Sequence, residues 1–154
     1  MTLVYRVSSE RDLERIVEMK RAMFLEIDFK SNDLKAEFAE MVLADYIVMN
    51  RENRVRHFLA TDDDMIVACA GAFIRSDEPI KYFRNDRYGY IGDVYTEPDF
   101  RGQGLAKMLC EKAVDYLKEQ GMATIELKAS SAGRSIYESL GFSMSDYHML
   151  LDVK

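Results

Sequence analysis

The sequence predicts a single α/β domain, and three observations carry that expectation. Its 154 residues suffice for one core and are few for two. Hydrophobic residues at 48% and charged residues at 31% are ordinary globular usage. Apolar residues recur at strand spacing in some stretches and at helix spacing in others. No Gly-, Pro- or Ser-rich stretch, repeat or low-complexity tract divides the chain, so one domain over residues 1–154 is expected.

Leu3 to Val7 reads as a strand. Ser9 with Asp12 three residues later is a helix-start signal, in which the acid side chain returns to the backbone N–H of the cap. Leu13, Ile16, Val17, Met23, Phe24 and Ile27 then form one helical face, and a second helix is expected after Ser31-Asn32-Asp33 with Leu34, Phe38, Met41, Val42 and Tyr46. Val55–Thr61 and Met65–Ile74, joined by Asp62-Asp63-Asp64, predict a hairpin. A loop containing Pro79 precedes a strand at Tyr88–Tyr95, which Pro98 stops. Leu105, Met108, Leu109, Ala113, Tyr116 and Leu117 give the clearest helical face, with Gly121 at its C-terminal cap. A strand at Ala123–Ala129, a short helix around Arg134–Leu140 ending at Gly141, and a last strand at Tyr147–Val153 complete the order β-α-α-β-β-β-α-β-α-β.

Twenty-one basic against 27 acidic residues leave a net charge of -6, which argues against a nucleic-acid partner. The longest apolar run, Met65–Ile74, is too short to span a bilayer, so no membrane partner is expected. No signal-peptide pattern opens the chain, and a cytoplasmic protein is expected. Cys69 and Cys110 stand far apart with no Cys/His cluster, which predicts two buried thiols and no metal.

The chemistry is expected between Val94 and Lys107. A strand ends, Pro98 follows, and Arg101-Gly102-Gln103-Gly104-Leu105-Ala106 runs straight into the best helix. Unpaired N–H groups and the positive end of the dipole at a helix start attract a phosphate where small residues let it approach. No Gly-Lys-Ser/Thr follows, and Lys107 replaces the third glycine of a dinucleotide fingerprint, so neither better-known phosphate loop is present. On its own the glycine pair fits helix capping as well as phosphate binding.

The wider context resembles the GCN5-related N-acetyltransferase superfamily, whose central motif is Arg/Gln-x-x-Gly-x-Gly/Ala. Here it stands as Arg101 to Ala106, preceded by Tyr95-Thr96-Glu97-Pro98-Asp99-Phe100 with Thr96 where valine is common. Ala129 to Phe142 is similar to the family's segment ending Tyr-Glu-x-Leu-Gly-Phe, with Ser130 in place of the usual asparagine. The resemblance implies a mixed, mostly antiparallel sheet, splayed between its fourth and fifth strands and flanked by helices, with acetyl-CoA as acyl donor in the opening. It implies pyrophosphate held by N–H groups of Gly102, Gln103, Gly104, Leu105, Ala106 and Lys107 beside Arg101. It further implies pantetheine paired along Val94, Tyr95 and Thr96 and reached by Ser130.

Moving an acetyl group from a thioester to an amine needs a base for the amine, an oxyanion donor for the carbonyl and a proton for the thiolate. By resemblance the oxyanion donor is a backbone N–H in Val94–Thr96, and Tyr137 supplies the thiolate proton. The family's strand glutamate is replaced by Tyr90, which leaves Asp93, the only carboxylate in Tyr88–Tyr95, and Glu126 on the next strand as candidate bases, beside a water relay. His57 and His148 read as ordinary strand histidines. The acceptor is expected to be a small-molecule amine or a peptide amine, in a monomer or homodimer; the resemblance implies that the first two helices and their link Glu26 to Asp33 wall its site, while the acids of that link read first as a solvated face. A coenzyme A-binding module without turnover is the competing class.

Overall fold

Five strands lie side by side in the order of the chain, β1 (Leu3–Val7), β2 (Val55–Asp62), β3 (Met65–Arg75), β4 (Tyr88–Thr96) and β5 (Ile125–Leu127). The computed structural model describes residues 2–27, 33–145 and 149–153. β1 to β4 pair antiparallel, while β4 and β5 run parallel. Helices α1 (Leu13–Glu26) and α2 (Phe38–Arg51) cover one face, where Leu13, Ile16, Met19 and Tyr46 pack on Leu59, Cys69, Phe73 and Tyr95. Helix α3 (Leu105–Glu119) covers the other, laying Leu105, Leu109, Ala113 and Leu117 against Ala68, Ala70, Ala72 and Ile91. Small residues on β3 let that helix sit close to the sheet. A Cβ added at Gly89 on β4 would lie 2.9 Å from Leu117.

Local chemistry accounts for the ends of these elements. The Ser9 N–H donates to the Asp12 carboxylate at 2.8 Å, as the start signal predicts. Asp63 and Asp64, both at positive φ, form the two-residue turn between Asp62 and Met65, a geometry that aspartate tolerates and that matches strand twist. α3 and α4 (Arg134–Ser139) end alike, with Gly121 and Gly141 left-handed and the next residue's N–H reaching back to Leu117 and Tyr137.

Three expectations are corrected. α2 begins at Phe38 rather than after Asp33, because a turn closed by the Phe38 N–H on the Lys35 carbonyl comes first. β5 is limited to Ile125–Leu127, because pairing with β4 stops at Ile91. The last strand is absent over residues 149–153, where Met149, Leu150, Leu151 and Val153 are 82–93% exposed and join no ladder, since apolar residues make a strand only where they are also paired and half-buried. Tyr147 and His148 lie outside the described residues, as do residues 28–32 of the acidic link.

Candidate active site

The segment between β4 and α3 is built from backbone. Pro98–Phe100 makes one 3-10 turn, and Gly102 and Gly104 follow at φ 80° and 77°, values that side chains resist. A Cβ on either glycine would meet nothing within 4 Å, so the loop is open where it faces solvent. α3 begins at once, with the Met108 N–H bonding the Gly104 carbonyl. The N–H groups of the turn before it lie ahead of the helical ladder, at the positive end of a 15-residue helix. Leu105 is buried and anchors the turn, while Gly102, Gln103, Gly104 and Lys107 are exposed and Ala106 is half-buried.

Arg101 is held on the side of this loop. Its Nε donates to the Thr96 carbonyl at 2.8 Å, Nη2 meets both Glu26 carboxylate oxygens at 3.0 and 2.8 Å, and the guanidinium lies 5.5 Å from the Tyr95 ring centroid. The end of α1 is thereby tied to the end of β4.

β4 changes face in its middle. Gly71 pairs with Gly92 and Cys69 with Tyr95, so β4 carries one residue more than β3 over this interval, a bulge at Asp93–Val94. Ile91 and Val94 pack toward α3, whereas Tyr90 and Tyr95 pack toward α1 and α2. Among the described residues β5 pairs only with Gly89–Ile91, so β4 from Gly92 to Thr96 has no strand partner on that side and the sheet parts there. Val94, Tyr95 and Thr96 lie on that unpartnered stretch, and residues 102–107 follow it along the chain.

Asp93 lies at the bulge with φ 54° and is 2% exposed. Its carboxylate receives the Lys20 ammonium at 2.6 Å from α1, the Tyr46 hydroxyl at 2.6 Å from α2 and His57 Nε2 at 2.9 Å from β2. The Cys69 thiol donates to its backbone carbonyl at 3.0 Å. Burial pushes the carboxyl up, but the His57 hydrogen bond and the Lys20 charge outweigh it and hold Asp93 well below the usual carboxylate range. The same burial, beside Asp93, raises the Tyr46 phenol strongly. His57 is fully buried, and its Nδ1 has no hydrogen-bond partner among the described residues. Facing a carboxylate, which only accepts, Nε2 is the donor of this pair.

Tyr137 stands on α4 with its ring against the α3 side of the core and 6.3 Å from Phe142. Burial, with smaller contributions from Cys110 and Tyr90, pushes its phenol up to about 12. Ser130 opens the turn before α4, its Oγ accepting the Gly133 N–H at 3.2 Å. Glu126 is exposed on β5, in register with Tyr90. Both cysteines are buried free thiols, Cys110 raised to about 12 by burial and Cys69 raised by burial and Asp93.

The sequence brings the glycine loop, the β4 end and Asp93 to the right strand and helix, but it does not show that Lys20, Tyr46 and His57 converge on Asp93. Tyr46 counts there as one position on a helical face and His57 as a strand histidine, and Lys20 carries no signal of its own. One signal was available, a lone carboxylate inside a strand otherwise free of charge, which needs a partner wherever it is buried.

Comparison with known proteins agrees with this geometry. Residues 14–142 match the model of the Acetyltransferase (GNAT) family. A [ribosomal protein bS18]-alanine N-acetyltransferase from Salmonella typhimurium is 32% identical over 97 residues, 61% of this chain and 59% of that protein, so the match spans less than two thirds of the relative. A glucosamine 6-phosphate N-acetyltransferase from Trypanosoma brucei brucei is 34% identical over 74 residues, covering 47% of this chain and 50% of that protein. In fold, the chain superimposes on a predicted acetyltransferase from Clostridium acetobutylicum, solved with acetyl-CoA, with TM-score 0.87, 24% identity and coverage of 98% and 96%. An open glycine loop, a sheet parted between β4 and β5 and a family match over most of its length converge, and the chain belongs to the GNAT family of acetyltransferases.

Proposed function

We propose that this protein is an acetyl-CoA-dependent N-acetyltransferase that passes the acetyl group directly to a primary amine. The observation that carries the reading is the continuity of the open Gly102–Gly104 loop with the unpaired edge of β4. An anion at the start of α3 and an extended chain along β4 are the two requirements of a diphosphate joined to a pantetheine arm. Arg101, turned to Glu26 and Thr96, holds the loop rather than the phosphates. Ser130 keeps its hydroxyl on the Gly133 N–H.

The amine nitrogen attacks the thioester carbonyl, whose oxygen takes up charge against a backbone N–H in Val94–Thr96. The C–S bond breaks, the amine gives up a proton, and the departing thiolate receives one from Tyr137. Because its phenol is raised to about 12, Tyr137 holds that proton at neutral pH. No acyl-enzyme is needed, and Cys69 and Cys110 are too deeply buried and too firmly protonated to form one. Asp93, with three donors on its carboxylate, shapes the bulge, and Glu126, open to solvent on β5, is the carboxylate able to take the amine proton through water.

Small-molecule and peptide amines both fit this chemistry, and the relatives with named acceptors include both kinds. A thiol-release screen with acetyl-CoA across aminoglycosides, amino sugars, polyamines and peptides tests the reading. Release with at least one class is expected. Tight acetyl-CoA binding with no release from any amine would replace it with a non-catalytic coenzyme A-binding module.

A further inference from the structure

A buried carboxylate at positive φ is doubly costly, in desolvation and in backbone strain, and it persists only where its surroundings over-determine it. Asp93 meets that condition through four separate elements. Lys20 on α1 brings the full positive charge, Tyr46 on α2 and His57 on β2 bring hydrogen bonds, and the Cys69 thiol on β3 fixes the Asp93 carbonyl. Lys20 is itself confined, with Nζ 5.1 Å and 5.5 Å from the ring centroids of Phe24 and Tyr46. Arg75 and Arg15 act only at longer range, on Tyr46 and Cys69 respectively. Gly71 leaves space this needs, since a Cβ there would fall 3.0 Å from His57 Nε2.

We propose that Lys20 is a positioning residue, whose ammonium, by tethering Asp93 across the sheet face, holds the β4 bulge so that the Val94 N–H meets the carbonyl of the donor thioester. This rests on the donor-binding reading given above. Without the ammonium, Asp93 can be neutralised only by a proton on His57 or on the carboxylate itself. A proton on His57 leaves its Nδ1–H unpaired, which costs less than an uncompensated buried carboxylate. An imidazole or carboxyl proton is ordinarily lost by pH 8.5, whereas an alkyl ammonium ordinarily keeps its charge there. A Lys20→Met variant is therefore expected to acquire a pH dependence that the wild type lacks.

The test is 15N NMR of the full chain at pH 6.0 and 8.5, with and without acetyl-CoA, beside thiol-release kinetics. In the wild type the Val94, Gly102 and Gly104 amides shift with acetyl-CoA at both pH values. In Lys20→Met the glycine amides still shift at both, while the Val94 shift survives at pH 6.0 and is lost at 8.5. Relative to the wild type, kcat of the variant falls at least tenfold between these pH values, with KM for acetyl-CoA within about twofold, and Lys20→Arg restores the profile. Equal Val94 responses in both proteins, or parallel kcat profiles, overturn the proposal. Should Lys20→Met not fold, Lys20→Gln, which keeps a hydrogen bond but no charge, takes its place. If the wild-type glycine and Val94 amides ignore acetyl-CoA, the donor reading fails on its own. The tether is then judged on ligand-free spectra, where Asp93 and Val94 amides must move with pH in the variant and not in the wild type.

Discussion

Arg101 reaches back from the glycine loop to Glu26, the last residue of α1, with Nη2 2.8 Å from one carboxylate oxygen. The pair is half-exposed and contributes little to stability, about 0–1 kcal/mol. Its consequence is electrostatic, because Glu26 neutralises a cation beside the proposed diphosphate site. Glu26→Gln is expected to tighten acetyl-CoA binding about twofold at low salt, and Arg101→Met to weaken it several-fold. Both effects should shrink as ionic strength rises and the Debye length shortens. Calorimetric titrations at two salt concentrations check this, and a Glu26→Gln variant that binds more weakly would contradict it.

Gly104 at φ 77° caps α3 with open space around it, so a side chain there meets no protein atom but stands where the phosphates are proposed to lie. Gly104→Val is expected to lower acetyl-CoA affinity at least tenfold and to cost stability through left-handed strain on the order of 1 kcal/mol. Gln103→Ala should bind within about twofold of the wild type. Equal affinities for the two variants would remove the backbone cradle.

Tyr137→Phe removes the proposed proton donor while keeping the ring against Phe142 and the core. A kcat reduced roughly 10²-fold or more, with KM for acetyl-CoA nearly unchanged, is expected of a general acid. Burial holds the phenol at about 12, so wild-type kcat should show no alkaline fall from Tyr137 below about pH 10. A pH–rate profile that declines above pH 8 in the wild type but not in the variant would contradict the raised phenol, and a variant kcat within a few-fold of the wild type would count against the role.

Asp12 accepts two hydrogen bonds from Arg6, at 2.8 and 2.9 Å, and one from the Ser9 N–H. The Arg6 hydrogen bond, opposed by burial and helped by Ser9, lowers its carboxyl from 3.8 to about 2. A carboxyl lowered on folding stabilises above its ordinary value, and that stabilisation is lost as pH falls from about 4 toward 2. Asp12→Asn should therefore cost about 2 kcal/mol at pH 7 and progressively less below pH 4. Urea unfolding at pH 7, 4 and 3 gives the comparison.

The parts that were legible in the sequence are those in which neighbours along the chain do the work. Ser9 and Asp12, the Asp63-Asp64 turn, the paired glycines before α3 and the glycine ends of α3 and α4 each use contacts a few residues apart. The Asp93 cluster joins residues 36, 47 and 73 positions away, and it depends on a bulge that no alternation of side chains announces. Part of the space for it comes from Gly71, which reads simply as a glycine in a strand. The expected strand over Tyr147–Val153 failed over residues 149–153 for the complementary reason, since its pattern speaks of an apolar side but not of a partner edge.

The surplus residue in β4 also acts as a parity switch. Upstream of it the even-numbered Tyr90 looks to α1 and α2, and downstream the odd-numbered Tyr95 does so. Shortening the strand by one residue there would exchange the two layers for everything that follows, sending Tyr95 among the alanines beneath α3 and withdrawing Val94 from them. Single-residue deletions in this interval would thus be felt as a transposition of two hydrophobic cores, whereas the same deletion in the exposed Ser76–Arg87 connection would only shorten a loop.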